Sequence, residues 1–132
     1  MKNTFKKLSK QEEDIAEAII DAAFTVHRAL GPGLLERVYE VCLCHELSKR
    51  NLNFQRQVEI PIEYDGISFD EGFRVDIFVE DLVICELKSA GDMHPVWQAQ
   101  LISYLRLTNK RLGFIINFNV PRIKDGIERI IL

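Results

Sequence analysis

Residues 73–88 read FRVDIFVEDLVICELK, and the pleat of a β-hairpin decides what this stretch builds. Let its halves, Phe73–Val79 and Val83–Lys88, fold back around Glu80–Leu82 with Phe78 opposite Ile84. Asp76 then faces Glu86 and Arg74 faces Lys88. The other surface collects Val75, Ile77, Val79, Val83, Cys85 and Leu87, all apolar. A slip of one residue would set Asp76 opposite Cys85 and mix charge into the apolar surface, so the hydrophobic pattern selects the first register. Directly opposed Cβ atoms lie about 5 Å apart, close enough for two carboxylates to share one cation. Lys88, two residues past Glu86, projects from the same face.

Outward from this hairpin the periods are distinct. From Gln11 to Leu30, Ile15, Ile19, Ala22, Val26 and Leu30 recur at helical steps. Gly31-Pro32-Gly33 ends that helix. A second helix is expected from Leu34 to about Lys49, with Leu35, Val38, Cys42 and Leu47 partly inward. Val58, Ile60, Ile62 and Tyr64 then alternate with polar residues as a strand, placed at a sheet edge by Pro61. Asp65-Gly66 predicts a hairpin pairing Tyr64 with Ile67 and Ile62 with Phe69. Asp92 as N-cap and Pro95 in the first turn predict a helix to about Thr108. Leu112–Phe118 and Ile127–Leu132 read as the last strands. The order α-α-β-β-β-β-α-β-β predicts an α/β or α+β domain on a mixed sheet.

Composition sets the outer limits. At 132 residues, 47% hydrophobic and 28% charged, the chain has the make-up of one globular domain. Residues 1–10 read as a flexible polar arm before a single domain over 11–132. No apolar run approaches a membrane span, and MKNTFKKLSK lacks the apolar stretch of a secretory leader. Three cysteines without a CxxC spacing fit a reducing, cytoplasmic setting rather than a disulfide scaffold. Cys42 and Cys44 point apart on a helix and read as buried small side chains, not zinc ligands. Residues 1–87 carry a net charge of −7 and residues 88–132 a net +4, which excludes a strongly basic nucleic-acid binder but leaves room for a local basic face.

Paired carboxylates repel, and a hard divalent cation such as Mg²⁺ relieves the repulsion while keeping several waters. Such an ion polarises a phosphoryl oxygen and lowers the pKa of bound water, while a neighbouring lysine stabilises charge. Asp76, Glu86 and Lys88 thus form a sufficient kit for phosphodiester hydrolysis. The same charges also read as the solvated face of a hairpin with cross-strand ion pairs. Phe78 and Ile84 on that face favour a covered, partly buried set.

The chain resembles the GxxExxY proteins, a branch of the PD-(D/E)xK nuclease superfamily. The resemblance lies in Gly33-Leu34-Leu35-Glu36-Arg37-Val38-Tyr39, Arg74-Val75-Asp76, Glu86-Leu87-Lys88, Gln100 to Leu105 and Gly113 to Phe118, and runs from about residue 12 to the C-terminus. Ser89 replaces an alanine common after ExK, and Trp97-Gln98 a common His-Glu. The resemblance implies a restriction-endonuclease-like α/β core, a central mixed β-sheet flanked by α-helices. It also implies Mg²⁺-dependent hydrolysis of DNA by activated water, with Mn²⁺ as a substitute. Asp76, Glu86 and Glu36 would be the metal ligands, Lys88 the charge-stabilising or water-orienting group, and Gln100 and Tyr104 a supporting pair on one helix face.

His27 is a candidate to turn toward Glu36, with hydrogen-bonded structure as its plainer reading. Arg106, Lys110 and Arg111 are candidate phosphate contacts or simple helix C-terminal cations. Tyr39 reads as a packing residue with a polar tip. A homodimer that cuts two strands is compatible with the enzyme reading, and a catalytically silent nucleic-acid- or partner-binding module on the same fold is its rival.

Overall fold

A computed structural model describes residues 7–132. Over these residues the chain runs α1 (Lys10–Leu30), α2 (Glu36–Lys49), β1 (Phe54–Tyr64), β2 (Ile67–Val79), β3 (Val83–Lys88), α3 (Pro95–Thr108), β4 (Leu112–Asn117) and β5 (Ile127–Ile131), with one 3₁₀ turn at Ile123–Gly126. The strands form a single mixed sheet in the order β1-β2-β3-β4-β5. Only β3 and β4 are parallel, joined by α3 as the crossover; the other neighbours are antiparallel. This is an α/β fold with a central mixed sheet flanked by three helices, consistent with a restriction-endonuclease-like core.

Two apolar clusters sandwich the sheet. On one face Ile15, Ile19, Ala22 and Val26 of α1 and Tyr39, Leu43 and Leu47 of α2 pack on Ile77, Val79, Val83, Cys85, Leu87, Phe114 and Ile116. On the other, Leu101, Tyr104 and Leu105 of α3 pack on Val75, Phe78, Ile84 and Ile115. Strands covered on both faces must be apolar throughout, which is why β4 is buried at every position.

Ser9 caps α1 in a capping box with Glu12, so the helix starts one residue ahead of Gln11. Of the expected flexible arm, residues 1–6 lie outside the described ones, while Leu8 packs against the core. The two segments expected around residues 67–79 are one 13-residue strand. Asp70-Glu71-Gly72 does not break it; a register shift between Ile60 and Ile62 absorbs the irregularity. Gly72 is required there, because a Cβ would collide with the Ile60 carbonyl. The Asp65-Gly66 turn, both residues at positive φ, pairs Tyr64 with Ile67 and Ile62 with Phe69 as expected, and β1 is an edge strand. His94, not Asp92, caps α3, its Nδ1 accepting the Val96 N–H at 3.1 Å.

The phase of α2 differs from expectation. Leu35 is its N-cap and 74% exposed, and Val38 is also exposed. The inward set is Tyr39, Glu40, Leu43, Cys44 and Leu47. Tyr39 sets this phase: its ring stacks on Phe118 at 4.4 Å. Its hydroxyl donates to the Gly31 carbonyl at 2.6 Å and accepts the Leu34 N–H at 3.1 Å, which fixes the loop into α2.

Replacing Tyr39 by Phe keeps the stack but strands both loop groups. Tyr39→Phe is expected to lower the unfolding free energy by about 1–2 kcal/mol in a denaturant titration. An unchanged midpoint would show that the loop is not held by this hydroxyl.

Candidate active site

β2 and β3 pair regularly only through Ile77–Cys85, Phe78–Ile84 and Val79–Val83, in the register the hydrophobic pattern selects. Beyond Ile77 the ladder opens, and two carboxylates take its place. The Asp76 N–H donates to Glu86 Oε2 at 2.9 Å, and the Leu87 N–H donates to Asp76 Oδ2 at 2.8 Å. Each acid thus accepts a backbone donor from the opposing strand and is held toward the other.

The opening coincides with a break in alternation. Val75 packs with the α3 cluster, whereas Ile77 and Val79 pack with the α1–α2 cluster. Val75 therefore leaves the apolar surface expected for it. Arg74 is carried away from Lys88; it lies 3.5 Å from Glu59 on the β1 side.

Glu86 is only 6% exposed. Burial, and then the charge of Asp76, push its carboxyl up to about 8. Asp76 is raised chiefly by burial, against the lowering effect of the Leu87 N–H bond. Neither carboxylate has a salt-bridge partner among the described residues. Lys88 lowers both from a distance, and its Nζ sits 5.2 Å from the centroid of the Trp97 ring. A buried and a half-buried acid side by side without a bonded cation fit a hard divalent ion, with Asp76 and Glu86 as the residues to hold it. Among the described residues no group of three or more His, Cys, Asp or Glu is placed to enclose a metal, so water and substrate would complete the shell.

The other candidates fall at different distances from this pair. Glu36 is the first residue of α2, exposed, and contributes least to the rise of Glu86. Tyr104 is buried, stacks on Phe73 at 4.1 Å, and is raised by burial and then by the charges of Glu86 and Asp76, against a hydrogen bond with Gln100. Tyr104 thus feels the charge of both acids and bonds Gln100. His27 Nε2 donates to the Val120 carbonyl at 2.8 Å, which is a structural tie.

Lys110 lies 3.9 Å from Asp81 at the β2–β3 turn, the end of β3 opposite Lys88. Arg111 donates to the carbonyls of Leu132 and Lys7, and Arg106 is exposed on the last turn of α3. The helix antiparallel to β3 carries these cations away from the acids.

Four participants escaped the sequence reading. Asn117, fully buried, bonds both the N–H and the carbonyl of Ala90 and so fixes the loop after Lys88. Glu40, also buried, accepts from Arg56 Nε and Gln57 Nε2, each at 2.8 Å. The spacing Tyr39, Leu43, Leu47 was the available signal for the buried face on which Glu40 borders Tyr39.

A family model described as the PD-(D/E)XK nuclease superfamily matches residues 13–130. No curated protein and no solved structure matches the chain.

Glu86 keeps its proton in the folded chain to about pH 8, against an ordinary value of 4.5. The folded state therefore binds more protons than the unfolded one between these limits. Without divalent ions, unfolding free energy should fall as pH rises from about 4.5 to about 8, by on the order of 5 kcal/mol. Glu86→Gln should flatten that slope in denaturant titrations run across pH. An equal slope in the variant would mean that this carboxyl does not carry the burden.

Proposed function

The chain belongs to the PD-(D/E)XK nuclease superfamily, and on that premise we propose that it is a divalent-metal-dependent nuclease that hydrolyses DNA phosphodiester bonds. The proposal includes the GxxExxY branch, a cytoplasmic setting, and Mg²⁺ with Mn²⁺ as a substitute. Its main support is the crosswise capture of Asp76 and Glu86 at the opened end of the β2–β3 ladder, which presents a buried acid beside a half-buried one with no bonded cation.

Asp76 and Glu86 would hold the ion, which when bound would supply Lewis acidity toward a phosphoryl oxygen and lower the pKa of a bound water. The chain's own residues do the rest. Lys88, steadied by the Trp97 face, is placed to meet the negative charge that grows on the phosphoryl oxygens. Tyr104, within reach of the acids' charge and hydrogen-bonded to Gln100, supports the site from the α3 side. Glu36, exposed at the N-terminus of α2, adds negative charge within reach of Glu86. No side chain needs to form a covalent bond, because no nucleophilic Ser or Cys lies in the set.

The wild-type chain should cleave single-stranded, double-stranded or branched DNA with Mg²⁺ or Mn²⁺. Asp76→Ala and Glu86→Ala should abolish cleavage. Lys88→Ala should lower the turnover by roughly 10²–10³-fold, the size of losing one charge-stabilising group. Cleavage that survives Asp76→Ala, or none by the wild type on any of these substrates, overturns the enzyme reading. Salt-dependent DNA binding without turnover would instead identify a silent binding module.

A further inference from the structure

Gln57 stands opposite Asp76 in β1, between the pairs Arg56–Ile77 and Val58–Val75, yet is itself unpaired in the ladder. Its φ is +51°, the left-handed region that residues with a Cβ avoid. The reason lies in its neighbours. Consecutive residues of a regular strand point to opposite faces. Arg56 and Gln57 nevertheless both bond the same carboxylate, Glu40, through Arg56 Nε and Gln57 Nε2 at 2.8 Å each. Only a break in the strand lets both side chains reach one acid. The break also switches faces, since Phe54 packs with the α1–α2 cluster and Val58 and Ile60 with the α3 cluster.

A carboxamide has two N–H donors. One of Gln57's serves Glu40; the other reaches Asp76 Oδ1 at 3.4 Å. Oδ2 of Asp76 is already held by the Leu87 N–H at 2.8 Å. Both oxygens of the acid therefore have a donor, one from β3 and one from β1, and the plane of the carboxylate is set from two sides. Glu40 does not touch Asp76. It is buried, paired with Arg56, and aims the amide.

We propose that Gln57, aimed by Glu40 and Arg56, is a positioning residue that fixes the Asp76 carboxylate for the divalent ion; this rests on the nuclease reading above. Partners that orient a ligand without touching the metal commonly change metal affinity by 10–100-fold when removed.

Calorimetric titration of the full chain with Mn²⁺ tests this. The wild type should bind, and Asp76→Ala should not. Gln57→Gly removes the amide but suits the left-handed backbone, so the thermal midpoint should hold while Mn²⁺ affinity falls 10–100-fold. Gln57→Met, which keeps the length and removes the donors, should show the same loss. A purely structural role for Gln57 predicts unchanged affinity in the stable glycine variant. Binding that needs Asp76 but ignores both substitutions overturns this proposal alone. A wild type that binds no Mn²⁺ overturns it together with the reading on which it rests.

Discussion

Two backbone N–H groups that a regular ladder would spend on carbonyls are spent instead on carboxylates. The Asp76 N–H goes to Glu86, and the Leu87 N–H goes to Asp76. Much else in the molecule follows from that exchange. A buried strand end must satisfy its donors, and a buried acid must find some, so opening the ladder solves both needs at once. No buried side-chain polar atom among the described residues lacks a partner. The unsolved part is charge. Hydrogen bonds from neutral donors do not cancel two adjacent anions in a poorly solvated place, and Glu86 accordingly holds its proton far above the ordinary carboxylate range. The pair is electrostatically incomplete by construction.

The surrounding elements keep that incompleteness in place. β3 is central in the sheet and covered on both faces, so Glu86 cannot swing out to water. Phe118 N–H bonds the Lys88 carbonyl at 3.0 Å and Asn117 grips Ala90, which stops the chain from fraying just past the site. Ser89 Oγ donates to the Leu34 carbonyl at 2.5 Å and ties the same point to the loop before α2. An alanine in place of Ser89 could not make this bond. Trp97 lies under the Lys88 ammonium. Both residues sit around the lysine and leave the carboxylates untouched.

What was legible in the sequence was whatever depends on the period of burial. The Asp76–Glu86 pairing followed from keeping charge out of the apolar surface, and the register through Val79–Val83 agrees. The edge position of β1 followed from Pro61 and its hairpin from Asp65-Gly66. What stayed hidden depends on breaks in the period. Val75 and Arg74 were assigned by strict alternation, and Asp76 is where alternation fails. Gln57 carries no mark of a left-handed conformation, because the cause is Glu40, seventeen residues earlier on another element. In the pattern of α2 the apolar residues Leu35, Val38 and Cys42 read as partly inward, ahead of Tyr39 and Leu43. The packing of Tyr39 on Phe118, a contact across most of the chain, decided the face.

The distribution of cations bears on how a phosphodiester would reach such a site. The net +4 of residues 88–132 is not gathered at the acids. Lys110 lies near Asp81, Arg122 near Asp125 and Arg129 near Glu13, while Arg111 serves carbonyls at the chain ends. On the other flank the hairpin tip carries Glu63, Asp65, Asp70 and Glu71 with no lysine or arginine from 61 to 72. Lys88 is the cation whose charge reaches both acids. Glu40 is paired with Arg56 and Glu86 keeps its proton without a cation, so the metal-free site offers no net positive field to draw phosphate in. On the proposed reading, a divalent ion would displace that proton and supply the positive charge that admits the nucleic acid. Affinity for DNA and affinity for the metal are then one linked equilibrium, and the carboxylate geometry set by the opened ladder governs both.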